Sequence, residues 1–144
     1  MEISRDYILG LVDGEGSFTF TTRNNGNIRW KIPTFQLRMH ARDTELIKLV
    51  KNFLGLRDRV YTYSYVTRPR DKVRRGPFST ILVRDVGQLK NIIIPFFYGR
   101  LIGYKAEQFN TWLETIGNNP LVPEEYKILF TLQKNGYYQR AVNE

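Results

Sequence analysis

The residue best placed to do chemistry is Glu15, because of what leads up to it. Residues 7–18 read Tyr-Ile-Leu-Gly-Leu-Val-Asp-Gly-Glu-Gly-Ser-Phe, an apolar helical stretch that ends in an acid and passes directly into a strand pattern. A glycine inside a helix costs about 1 kcal/mol against alanine, so Gly10 and Gly14 imply a packing reason. Tyr7, Gly10, Leu11 and Gly14 follow the i, i+3, i+4, i+7 stripe of one helix face. Small residues on that stripe let another helix backbone approach closely. The stripe therefore delivers the Glu15 carboxylate beside a partner helix. If the partner is the same helix of a second copy, two carboxylates converge at a twofold axis.

Composition narrows the remaining chemistry. The chain has no cysteine and one histidine, His40. This excludes a cysteine nucleophile, a thiolate zinc site and a multi-histidine metal site within one chain. Its 22 Lys and Arg against 14 Asp and Glu give a net charge of +8. That excess favours a polyanionic partner, since neutralised phosphates release counterions and attract the protein over long range. No apolar run approaches the ~18–20 residues of a membrane span, and residues 1–15 lack the layout of a signal peptide. The charge by itself does not exclude an anionic membrane surface; with no span and no signal layout the expectation is an intracellular protein that is not secreted and has no membrane partner. At 144 residues the chain reads as one domain spanning 1–144.

Local patterns give a repeated helix–strand–strand rhythm. Ser4 or Asp6 can cap a helix running to about Asp13. From Gly16 to Arg23, Phe18 and Phe20 alternate with Ser17, Thr19, Thr21 and Arg23. Asn24-Asn25-Gly26-Asn27 is a hairpin signal. The second strand, Ile28 to His40, sets Phe35, Leu37 and Met39 inward and Thr34, Gln36, Arg38 and His40 outward. Pro33 within it predicts a bulge or an edge position. Asp43 or Thr44 opens an amphipathic helix that stops at Gly55. Residues 58–67 alternate Tyr61, Tyr63 and Tyr65 against Val60, Thr62, Ser64 and Val66. A basic turn containing Arg68, Arg70, Arg74 and Arg75 follows, then a fourth strand from Pro77 to Arg84. A third helix begins at Asp85 and reaches Pro95, and further helices fall near 104–116 and 123–134.

The segment Ile8-Leu9-Gly10-Leu11-Val12-Asp13-Gly14-Glu15-Gly16 resembles, in register at all nine positions, the signature of the LAGLIDADG homing endonucleases, and Ser17-Phe18 continue it. The resemblance implies the α-β-β-α-β-β-α fold of that family, an α+β domain with a four-stranded antiparallel sheet. It covers a core of about residues 4–116, with extra C-terminal helices over about 103–135. It implies that the Tyr7, Gly10, Leu11 and Gly14 helix forms the dimer interface. Glu15 and the Gly14 carbonyl would bind Mg²⁺ (or Mn²⁺), with Ca²⁺ able to bind without supporting cleavage. A basic residue near the scissile phosphate falls on Arg100, with Lys105 as the second choice. The family's glutamine near the end of the second strand has its nearest equivalent in Met39 or His40, because Gln36 comes too early. His40 would then order the attacking water or touch phosphate. Asp13, one before Gly14, could reach a metal too, but the role that the resemblance implies for it is structural, tying the helix end.

An antiparallel sheet with helices on one face leaves the other face to solvent. Here that face would present Ser17, Thr19, Thr21, Arg23, Thr34, Gln36, Arg38, Tyr61 and Tyr63, donors and acceptors suited to base edges in a major groove. The turn arginines Arg68, Arg70, Arg74 and Arg75 would grip phosphates. One motif supplies one acid and a duplex has two strands, so the expected enzyme is a homodimer. It would cut a long, near-palindromic double-stranded target by metal-assisted phosphodiester hydrolysis, leave short 3′ overhangs, and so promote mobility of an intron or similar element. An RNA-splicing maturase and a non-catalytic DNA-binding regulator are the alternatives on the same fold.

Overall fold

The computed structural model describes residues 2–64, 66–67 and 74–139. Helix α1 (Arg5–Glu15) starts where the Ser4 hydroxyl accepts the Tyr7 amide at 3.1 Å, and it buries Ile8 and Val12. It passes Asp13 and ends at Glu15, one residue before β1 (Gly16–Asn25). A tight turn joins β1 to β2 (Ile28–His40), and Gly26 supplies the positive φ of 62° that such turns require. The two strands pair without interruption from Gly16 opposite Leu37 to Asn25 opposite Ile28. Pro33 makes no bulge, since it faces Phe20 in register. On its other side β2 has a strand neighbour only from Phe35 onward, so the missing Pro33 N–H interrupts no ladder.

Helix α2 (Thr44–Leu54) lays Ile47 and Val50 on the sheet and stops at Gly55, whose φ of 76° is left-handed. Strand β3 (Tyr61–Tyr63) is much shorter than the alternation over 58–67 suggests. The preceding backbone is held elsewhere: Gln88 Oε1 accepts the Arg57 amide at 2.8 Å, and Gln88 Nε2 donates to Asp58 at 2.8 Å. Strands β4 (Val66–Thr67) and β5 (Arg74–Arg75) form a separate two-stranded ribbon. Strand β6 (Phe78–Val83) enters between β2 and β3, giving the antiparallel order β1-β2-β6-β3. The expected third helix is one helical run with a wide turn in it: α3 (Val86–Gln88), a π turn at Leu89–Ile93, and α4 (Ile94–Phe97), which contains Pro95. Helices α5 (Tyr104–Asn118) and α6 (Lys127–Lys134) complete the described chain.

All these helices lie on one face of the sheet. Phe18 is the centre of the core between them. Its ring meets Phe35, Phe97, Phe109 and Trp112 at centroid separations of 5.4, 5.6, 4.8 and 5.4 Å. Strand, helix α4 and helix α5 thus converge on one side chain three residues from Glu15. The C-terminal segment braces the hairpin, with the Lys31 amide donating to the Leu121 carbonyl at 2.9 Å.

Phe18→Ala should lower the unfolding free energy by about 3–5 kcal/mol, because the cavity cannot collapse among four rings. Urea titration followed by circular dichroism measures this, and a loss below about 1 kcal/mol would show that the core repacks freely.

Candidate functional site

The end of α1 opens onto the uncovered face of the sheet. Glu15 lines a shallow concavity with Ser17, Gln36, Arg38, Met39, His40, Gly76, Pro77 and Phe78. The alternation of β1 and β2 puts Ser17, Gln36, Arg38 and His40 there, while Phe18, Phe35 and Leu37 go to the core. His40 has Nδ1 occupied as acceptor of the Arg42 amide at 3.0 Å, so only Nε2 can serve a ligand.

The helix end gathers negative charge. Asp13 and Glu15 are acids, the α1 macrodipole places its negative pole there, and no basic residue falls in the last turn. The last carbonyls of a helix, Gly14 and Glu15 among them, have no donor within it. One carboxylate beside open space, next to a helix-end carbonyl, suits a hard divalent cation that takes most of its oxygens from water and other ligands. Among the described residues no cluster of three or more His, Asp or Glu could hold a metal by itself. Asp13 faces away and accepts the Ile102 amide through both oxygens, at 3.2 and 3.4 Å, which pins the chain entering α5 to α1.

The cation that reaches this end is Lys105, whose ammonium donates to the Gly16 carbonyl. Arg100 does not reach it, contrary to the expectation from sequence. Its guanidinium closes the end of α4, donating to the carbonyls of Pro95 at 2.7 Å and Phe96 at 3.2 Å. It lines a different hollow with Arg5, Phe53, Leu54 and Asn91. Burial, then the adjacent Arg5 charge, lowers its pKa from the ordinary arginine value. Arg5 opens α1 and Glu15 closes it, so the two sites are separated by about 15 Å of helix.

The outward face is mostly as the alternation predicts. Ser17, Thr19 and Thr21 are half-buried on β1, Arg23, Arg38, Tyr61 and Tyr63 are exposed, and Gln36 is half-buried between them. Thr34 is a correction. It is wholly buried, donating to the Ile32 carbonyl at 2.8 Å and paired with the Thr21 hydroxyl at 3.0 Å, so it offers nothing to a groove. Arg74 and Arg75 form β5, while Arg68 and Arg70 lie outside the described residues. Sequence reasoning missed Phe78 and Thr80, which the alternation of β6 places outward beside Arg38. It also missed Ile102 and Tyr104, the most exposed large apolar residues described, at 79% and 76%. On α1, Tyr7, Gly10 and Gly14 are exposed and Leu11 is half-buried; a Cβ on either glycine would meet nothing within 4 Å. The stripe is open.

A family model described as LAGLIDADG endonuclease matches residues 8–116. Among solved structures, meganuclease I-SmaMI bound to uncleavable DNA is similar with a TM-score of 0.64 and 26% identity, over 90% of this chain and 44% of that one. The I-LtrWI LAGLIDADG homing endonuclease bound to target DNA is similar with a TM-score of 0.61 and 26% identity, over 88% and 41%. I-SmaMI bound to an uncleaved DNA target in the presence of calcium ions gives 0.59 and 25%, over 91% and 45%. The chain spans somewhat under half the length of these solved relatives.

Thr34→Val should cost about 1–2 kcal/mol in unfolding free energy, because it strips partners from the Thr21 hydroxyl and the Ile32 carbonyl. Thermal denaturation of the variant against wild type reads this directly; an unchanged midpoint would mean the hydroxyl pair carries no weight.

Proposed function

The chain belongs to the LAGLIDADG endonuclease family, and from that premise we propose that it is a site-specific double-strand DNA endonuclease acting as a homodimer on a long, near-palindromic target. By this reading it works inside the cell, wherever its DNA is, and its cutting promotes the mobility of an intron or similar element. The observation that carries the reading is the placement of Glu15: an acid at a helix end, opening onto the polar face of the sheet. I-SmaMI and I-LtrWI are both described on DNA, which supports duplex DNA as the ligand. Calcium with uncleaved target in one of these structures supports a divalent cation.

Glu15 and the Gly14 carbonyl would hold Mg²⁺ (or Mn²⁺), with Ca²⁺ binding but not supporting cleavage. The ion, when bound, lowers the pKa of a water and stabilises the attacking and leaving oxygens. The protein's own groups do the rest. Lys105, held at the Gly16 carbonyl, offsets charge that develops on the phosphate. His40 uses Nε2 to order water or touch phosphate. Gln36 and Arg38 read base edges, Ser17, Thr19, Thr21, Arg23, Tyr61 and Tyr63 extend the contact along the sheet, and the turn arginines hold backbone. Each chain supplies one acid, so cutting two strands takes two copies joined through Tyr7, Gly10, Leu11 and Gly14. A domain of this length, repeated once, also matches the length of the solved relatives.

Selection of cleaved sites from a randomised duplex library with Mg²⁺ tests the reading. Tight binding without nicking, unaffected by chelator, would favour a regulator, and preference for structured RNA a maturase. On the selected target, Glu15→Gln should abolish cleavage while holding affinity within about tenfold, or 1.4 kcal/mol. Lys105→Ala should slow cleavage about a hundredfold, whereas Arg100→Ala should cut at close to the wild-type rate, the reverse of the order expected from sequence. Gly10→Leu should leave a folded monomer, because added bulk forces the helix backbones apart. Light scattering that still shows a dimer would place the interface elsewhere.

A further inference from the structure

We propose that Phe78 is a positioning residue that fixes the Arg38 guanidinium for bidentate reading of a guanine edge; this rests on the reading of the sheet face as the DNA-contacting surface. Arg38 Cζ lies 3.7 Å from the centre of the Phe78 ring. The opposite support is Tyr63, stacked on Phe78 with centroids 4.9 Å apart and planes at 27°. Strand register builds this three-part stack. Phe78 on β6 pairs with Tyr63 on β3 and with His40 on β2, and Arg38 stands two residues before His40 on the same face.

A solvent-exposed arginine samples many rotamers and loses that freedom on contact with a ligand. Laying its plane on an aromatic ring removes much of the freedom beforehand, and leaves the edges of the fork clear. The fork matches O6 and N7 of guanine in the major groove. Among the described residues no carboxylate lies within ion-pair distance of Arg38, so the aromatic contact, not a counter-charge, orients it and its charge remains available to DNA. The floor beside it is polar as well. Thr80 pairs directly with both Arg38 and Tyr61, is 4% exposed, and its hydroxyl has no partner among the described residues. A water bridging to a base would satisfy it. Arg38 and Phe78 share the Glu15 concavity, so the base read belongs to a pair next to the cleavage position and not to the far end of the hairpin.

The test is competition binding of the full chain to the selected target and all its single-base variants, at two salt concentrations. Arg38→Ala should reduce preference for guanine at one position of each half-site by about tenfold or more. Phe78→Leu and Phe78→Met keep apolar bulk without the ring face. They should lose about three- to fivefold at that same position with the salt slope unchanged, and Phe78→Tyr should restore it. The double variant Arg38→Ala/Phe78→Leu should match Arg38→Ala alone. If Phe78→Leu and Phe78→Met weaken all sequences equally, or leave the Arg38 position intact, Phe78 is only structural and the proposal is overturned. If the salt slope falls with every Arg38 variant and no base preference moves, Arg38 contacts phosphate, which also overturns it. If Arg38→Ala changes neither profile nor slope, the failure lies in the sheet-face reading itself.

Discussion

The turn from α1 into β1 at Gly16 holds the molecule's working parts in one place. A Cβ there would come 2.7 Å from Val12 Cγ1 and 3.2 Å from the Val12 backbone, so only glycine lets the chain leave the helix and enter the strand in one residue. The Gly16 amide still donates to the Val12 carbonyl, its Cα faces Leu37 across the sheet, and its carbonyl takes the Lys105 ammonium from α5. Three elements are thus tied through a residue with no side chain. Glu15 has to stand at the lip of the sheet because its neighbour permits no looser path, and Phe18 two residues further on locks the same strand into the aromatic core.

The two ends of α1 show how charge is distributed around that constraint. The C-terminal end combines two acids with the negative pole of the helix, and takes the Lys105 ammonium from another element. At the N-terminal end Arg5 lies near Arg100, whose pKa is lowered first by burial and then by the Arg5 charge. A net charge of +8 is therefore not spread evenly. One acid, Glu15, set in a concavity with Arg38 on a basic protein suits a ligand that brings its own negative charge and also needs a cation between it and that acid. A polyanion alone would call for no Glu15, and a metal alone would call for no arginine-rich turn.

What could be read from the sequence was whatever depends on local period. The helical stripe, the strand alternation that sorts Phe35 and Leu37 from Gln36 and Arg38, and the Asn25-Gly26 turn all follow from spacing of 3.6 or 2. What could not be read depends on where the chain returns. Arg100 and Lys105 are five residues apart and both basic; Lys105 folds back to Gly16 from the first turn of α5, after the Asp13–Ile102 contact and the turn at Gly103, whose φ of 70° glycine adopts freely. Thr34 follows the outward alternation faithfully and is nonetheless buried, through its own hydrogen bonds and the crowding of Thr21 and Ile32. The shortness of β3 traces to Gln88, thirty residues downstream of the backbone it holds. Gly117 gave no signal of its role either: a Cβ there would lie 2.2 Å from the Phe130 ring, so its bareness is what seats α6 on α5.

The open stripe on α1 poses the last question of balance. Tyr7, Gly10 and Gly14 leave a helix face bare, at the usual glycine cost to helix stability. Ile102, held to Asp13 on the flank of the same helix, adds a fully built apolar side chain at 79% exposure. Two such faces brought together exclude water from both, let the bare backbones approach, and set two Glu15 carboxylates side by side where their repulsion must be relieved by cations. In the proposed dimer the same packing would also set the metal sites and the spacing between two cleavable strands, which would account for the glycines and the acid falling within one nine-residue stretch.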